Sequence, residues 1–279
     1  MSHTALPITP IVDALVEEWS ALEAIATSMT DEQWSAPSVL PGWTVADVIA
    51  HIIGTESMLA GRDVEVRRDL AALDHVRNPI GELNEKWLDH FRDRPRTEVM
   101  AAFADIIAAR TNALRAMTQT DFDADTITPA GPDTYGRFMR IRIFDCWMHE
   151  IDIIDSSTES GSATTVSLAA APTTWALEEI AASMPFVVGK RARTPQGTSI
   201  LIRVGGVAPR EMRIVVEERA AAVDAFDGGD ESADVTLTLD DIDLARLVGG
   251  RRSADPTRVT IDGNVEFGRA IVENAAYVI

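Results

Sequence analysis

The 279-residue chain contains a single cysteine, Cys146, and only two lysines, Lys86 and Lys190. One cysteine excludes an internal disulfide and any zinc site built from several thiolates. Basic residues number 25 against 44 acids, a formal net charge of −19. A chain so short of positive charge offers no basic patch to nucleic acid or to an anionic membrane surface, and neither partner is expected. Long apolar runs are also absent: no stretch of about eighteen apolar residues exists to cross a bilayer. The opening MSHTALPITPIVDALVEEW lacks the basic and apolar regions of a secretory leader. These absences lead us to expect a cytoplasmic protein.

What is present is a hydrophobic fraction of 46%, enough for a sizeable core, over a length that suits one large domain or two ordinary ones. Residues 8–29 show helical spacing through Ile11, Leu15, Trp19, Leu22, Ile25 and Ala26. In PGWTVADVIAHIIGTESMLAG, Pro41-Gly42 makes a turn, Thr44 is an N-cap, and Asp47 stands where a capping box needs it. Residues 80–92 and 95–118 form a further helical region broken near Pro95, and 137–155 another helix. Helices joined by modest loops give an up-and-down bundle. SSTESGSATTVSLAAAP, 156–172, reads as a linker. Beyond it come a helix at 173–184 and the alternating strands TSILIRVGG, EMRIVVEE and ADVTLTL. A short helix in DDIDLARLVGG, a strand in TRVTIDG and a closing helix capped by Asn264 complete the chain. The expected fold class is therefore an α bundle, residues 1–160, followed by a small α+β domain, residues 161–279.

One helix is unusual. RIRIFDCWMHEIDIID, 140–155, carries Ile141, Phe144, Trp147, Met148, Ile151 and Ile154 for a core, yet Asp145, His149 and Asp152 run through it. At about 100° per residue these three fall on one narrow stripe beside the apolar face. Unpaired burial of such groups costs several kcal/mol, on the order of what a fold has in reserve. His51 flanks the buried face of the second helix, marked by Val45, Val48, Ile49 and Ile52. Two imidazoles and a carboxylate from two helices are a nitrogen/oxygen donor set for zinc, and equally for iron, nickel or manganese, with a coordination position left open. The spacing alone also fits hydrogen-bonded core histidines, a local Asp-His ion pair, or a Cys146–His149 nucleophile pair, although Cys146 faces about 60° away from His149. His75 and His90 sit in charged surroundings, and His3 belongs to a terminus.

LPGWTVADVIAHI at 40–52, taken with DCWMHEIDI at 145–153, resembles the mycothiol-dependent maleylpyruvate isomerase family within the DinB-like superfamily. ADVTLTLDDIDLARLVGG and VTIDGNVEFGRAI resemble that family's sterol-carrier-like C-terminal domain. The resemblance spans nearly the whole chain. It implies a DinB-like four-helix bundle with a divalent metal, zinc being expected, held by His51, Asp145 and His149. The chain departs from the family at Asp145, where the isomerase has glutamate. Aspartate is one methylene shorter, so the helices approach more closely or water replaces it as ligand. Asp152 is the substitute ligand to consider, its expected role being to orient an imidazole. Glu150 faces elsewhere and reads as a contact to another helix.

The implied cofactors are the metal and mycothiol, the family's thiol, which fits the alanine- and arginine-rich composition of a high-GC actinobacterium. A metal-bound thiol ionises readily, and a thiolate that adds to a conjugated double bond, permits rotation and leaves again is an isomerase. Capture of an electrophile without return is an S-transfer. The expected partners are thus a small-molecule thiol and an electrophilic substrate. Donors for them are sought in Arg142, Arg246, Arg251 and Arg252, with Trp43 as a wall. The alternatives are a small-molecule carrier that does no chemistry and a thiol-independent metal hydrolase.

Overall fold

The computed structural model describes residues 4–66, 68–70, 72–74, 76, 78–159 and 168–278; His3, His75 and the linker segment 160–167 lie outside them. The chain divides into two compact units, Met1–Ser167 and Leu168–Ile279. No helix among the described residues is long and apolar enough to cross a membrane.

The first unit runs α1 (Ile8–Ser28), α2 (Asp31–Ser35), α3 (Val45–Leu59), α4 (Pro79–Phe91), α5 (Arg96–Arg115), α6 (Gln119–Phe122), a hairpin of β1 (Asp125–Thr128) and β2 (Gly131–Thr134), and α7 (Tyr135–Glu159). Helix α1 packs on α5 and α7, and α3 packs on the same two, so four long helices close a ring. Their apolar faces fill it with Leu15, Trp19, Leu22, Ile49, Ile52, Phe103, Ile106, Ile143 and Trp147, all buried. Fully burying one such side chain is worth about 1.5–3 kcal/mol, and this ring is what fixes the helices relative to one another. Helix α4 lies on the outside of α3. Three differences from the sequence reading appear here. Residues 156–159 continue α7 rather than opening a linker. The β1–β2 hairpin and the short α2 and α6 are additional elements, because segments of four or five residues carry too few positions to show a period. Ile154, expected in the core, is only half-buried.

The second unit begins with α8 (Ala170–Phe186), which takes up residues expected in the linker and passes into a wider helical turn, Val187–Arg191. Strands β3 (Ser199–Gly205), β4 (Arg210–Val216), β5 (Ala220–Val223), β6 (Val235–Asp240) and β7 (Thr260–Gly263) form one sheet in the order β5-β4-β3-β6-β7. The β3–β6 pair is parallel and the others antiparallel. Met212, Ile214 and Val216 alternate inward on β4, as Val235, Leu237 and Leu239 do on β6. Helices α8, α9 (Asp241–Val248) and α10 (Val265–Glu273) pack on the sheet. A bundle followed by an α+β unit is the fold class expected.

One feature of the bundle core is costly. Glu18 of α1 and Glu150 of α7 are both fully buried with their carboxyls together, and no other described group donates to their oxygens. Burial pushes both up, Glu150 to about 7, and the mutual repulsion of the pair adds to the rise at Glu18. The contact of Glu150 with another helix is thus a carboxyl–carboxyl one. An acid whose folded pKa is raised above its ordinary value of 4.5 binds more protons folded than unfolded in between. Stability therefore falls as pH rises from about 4.5 through 7, by on the order of 3 kcal/mol. Urea titrations at pH 5 and pH 8 should show this decline in the native chain, a shallower one in Glu150→Gln, where the buried Glu18 still contributes, and a nearly flat one in Glu18→Gln/Glu150→Gln. Parallel declines would place its origin elsewhere.

Candidate metal centre

The centre is assembled where α3 and α7 cross inside the ring. Gly42, at φ +80°, supplies the left-handed turn that brings Trp43 onto the start of α3. Thr44 caps that helix as its sequence foretold: its Oγ1 accepts from the Asp47 amide at 3.2 Å, and the Asp47 carboxylate accepts from the Thr44 amide at 2.9 Å. Asp47 also takes Arg92 Nε at 3.0 Å, which anchors the cap to the end of α4. His51 follows two turns later. One turn beyond it, Gly54 leaves room for Trp87 of α4, whose side chain lies 2.4 Å from where a Cβ would stand.

Three side chains then converge. His51 Nε2 lies 3.2 Å from Asp145 Oδ2, and His149 Nε2 lies 3.8 Å from Asp145 Oδ1. The two imidazoles meet edge to face with centroids 4.8 Å apart. One donor atom from each of the three residues lies within 4.8 Å of the others. The histidines are buried, whereas 32% of the Asp145 side chain is exposed, so the cluster opens to solvent on the carboxylate side.

The electrostatics suit a cation. Burial lowers the pKa of His51 against the opposing pull of Asp145, keeping its ring neutral with a lone pair to offer. Burial would raise Asp145, but Arg142 and the two histidines outweigh it and hold the carboxylate well below its usual range. His149 Nδ1 lies 3.0 Å from Asp152 Oδ2. A hydrogen donated there places the second lone pair on Nε2, toward Asp145; this carboxylate–imidazole arrangement is the usual support of a metal-binding histidine. Asp152 is fixed in turn: Ser156 Oγ donates to its backbone carbonyl at 2.6 Å and accepts from the Val39 amide at 3.0 Å, which ties α7 to the loop carrying Trp43. Two imidazoles, an ionised carboxylate and an orienting acid together fit a divalent ion with one position left for a ligand.

Trp43 walls the cluster. It is half-buried, with ring centroids 5.4 Å from His51 and 6.2 Å from His149, and its Nε1 donates to Glu85 of α4 at 2.8 Å. Arg142, sought as a donor for a ligand, instead points inward: 3% of its side chain is exposed, its Nε donates to Glu56 at 2.8 Å, and it pairs with Asp145. Arg246, Arg251 and Arg252 belong to the second unit, where Arg246 reaches Asp243 at 3.4 Å and Arg251 donates to the Gly249 carbonyl at 2.9 Å. Cys146 is fully buried, and burial raises its thiol, which marks it as a packing residue and not a nucleophile. Sequence reasoning missed Glu56, Arg110 and Glu85. For Glu56 a signal existed: it continues the buried spacing of Ile49 and Ile52 by seven and four positions.

Fold and cluster define a class, a helical bundle able to hold a metal ion joined to an α+β unit. The N-terminal domain profile of mycothiol maleylpyruvate isomerase matches residues 15–154, and that enzyme's C-terminal domain profile matches 174–266. The chain belongs to the mycothiol-dependent maleylpyruvate isomerase family. Among solved structures it is similar to the mycothiol-dependent maleylpyruvate isomerase at 14% identity and a TM-score of 0.59, covering 94% of this chain and 96% of that one. A histidine-to-alanine mutant of that enzyme superposes over the same shares, at 14% identity and a TM-score of 0.56. At this identity the likeness is one of fold. No curated protein sequence matches the chain.

Purified protein should carry close to one divalent ion per chain by elemental analysis, and His51→Ala should lose it while keeping the helical circular dichroism of the native chain. Undiminished metal in the variant would remove His51 from the set.

Proposed function

We propose that the protein is a divalent-metal enzyme, zinc being the expected ion, that activates mycothiol for an isomerisation of the maleylpyruvate type. The observation that carries this reading is the convergence of His51, Asp145 and His149 on the helices of the family's N-terminal domain. An ion held by these three would supply Lewis acidity, lowering the pKa of a bound thiol from its ordinary value near 8.5. The protein's own part is to bind, orient and shield. His51 and His149 offer ring nitrogens, and Asp145 offers a carboxylate that stays ionised. Asp152 holds the His149 ring to one tautomer. Trp43, braced by Glu85, limits water on one side and presents an indole face to whatever enters. Since Cys146 is sealed in the core, the thiol comes from outside the chain.

A thiol ionised there would supply a nucleophile for reversible addition to a conjugated double bond, the chemistry a cis–trans isomerisation requires, and His51, Asp145, His149 and Trp43 would hold and shield it. S-transfer to another electrophile asks the same of the site and differs only in omitting elimination. The family name favours isomerisation.

The test is calorimetric titration of metal-loaded protein with mycothiol, glutathione and S-alkylated mycothiol. Saturable binding that needs the free sulfur and prefers mycothiol is the expected result. Equal indifference to all three would favour a carrier, and metal retained without thiol binding would favour a hydrolase that uses bound water.

A further inference from the structure

Behind the three converging side chains lies a chain of ionised groups that water does not reach. Glu56 of α3 is fully buried and bridges two arginines: Arg110 Nε of α5 reaches its Oε2 at 2.9 Å, and Arg142 Nε of α7 reaches its Oε1 at 2.8 Å. Arg110 Nη2 donates to the Tyr135 hydroxyl at 3.0 Å. The remaining nitrogens of Arg142 are also committed, Nη1 to Asp145 Oδ2 and Nη2 to Cys146 Sγ at 3.5 Å. Buried ion pairs of this kind bring little net stability, because desolvation consumes most of the attraction. A core does not gain from such a chain unless it fixes something.

What it fixes is one carboxylate. Asp145 is the single member of the cluster on the solvent side, so packing alone leaves it rotational freedom that the two buried histidines lack. Arg142 holds Oδ2, the oxygen that also faces His51, while Oδ1 faces His149. A guanidinium is a rigid planar fork whose donors lie at set angles, so anchoring Nε on Glu56 sets where Nη1 points. Lysine, with one nitrogen on a flexible stem, does not serve Glu56 and Asp145 together in this geometry. We infer that Arg142, clamped by Glu56 with Arg110 behind it, is a positioning residue that holds Asp145 facing both imidazoles, ready to complete a metal site. The inference rests on the proposed metal centre.

The prediction has a definite sign. A guanidinium beside a cation also repels it, so if Arg142 acted only through charge, its removal would tighten metal binding. If it acts by position, removal loosens binding, and a lysine that keeps the charge does not restore it. Metal affinity should be measured by chelator competition for the native chain, Arg142→Lys, Arg142→Met and Glu56→Gln, with thermal unfolding to identify the folded variants. Supports of this type are worth about 10- to 100-fold in affinity, and a loss of that size is expected in all three. The visible absorption of cobalt(II)-loaded Arg142→Lys should also depart from that of the native chain, since it reports coordination geometry. Glu56→Gln keeps the size of the side chain while removing the charge and one acceptor oxygen of the clamp, and provides the test should either Arg142 variant fail to fold. Native-like affinity and an unchanged cobalt spectrum in Arg142→Lys, or tighter binding in Arg142→Met, would overturn the inference. Absence of metal from the native chain would instead overturn the metal centre itself.

Discussion

The interior of the bundle is organised by the double ion pair at Glu56, which joins α3, α5 and α7 without any contact with water. A lone carboxylate at that depth would cost several kcal/mol; with a guanidinium on each oxygen it becomes a fixed point on which three helices agree. Both sides of the structure depend on it. Toward the hairpin, Arg110 extends the network to Tyr135, the first residue of α7. Toward solvent, Arg142 extends it to Asp145 and so to the imidazoles. The centre is the outer end of a polar track whose inner end is structural.

This arrangement divides the labour between two kinds of residue. Glu56, Arg110 and Asp152 are sealed in and serve by being immobile. Asp145 and Trp43 lie at the boundary with solvent. The second buried pair, Glu18 with Glu150, has no guanidinium partner among the described residues, and burial raises the proton affinity of both carboxyls. Carboxylates in one core are thus accommodated in two ways, by ion pairing at Glu56 and by raised proton affinity at Glu18 and Glu150.

How much of this could be read from the amino acids depended on distance along the chain. The caps of α3, the break at Pro95 and the stripe of Asp145, His149 and Asp152 are local patterns with a period or a motif, and each appeared where its spacing placed it. His51 was legible because it flanked an apolar face. Glu56 and Arg110 are 54 positions apart, and only the folded ring brings them together; no spacing rule links them. The inward turn of Arg142 was hidden for the same reason, since an arginine one turn before a candidate ligand serves a substrate or the protein equally well until its partner is known. Strand β5 was missed because Ala220–Val223 has no large side chains to alternate. The start of α8 was missed because its alanines and Pro172 have the composition of the linker before them, though Pro is well placed in the first turn of a helix.

The glycine one turn beyond His51 carries a further consequence. The indole of Trp87 fills the space where the side chain of residue 54 would be, so the closeness of α4 to α3 is a property shared by two positions. Neither is free to drift alone: a methyl group at 54 demands a smaller ring at 87, and a smaller ring at 87 leaves a hollow that a larger residue at 54 would fill. Across relatives of this chain the two sites should therefore change as a pair, small with large or large with small, whatever becomes of the chemistry beside them.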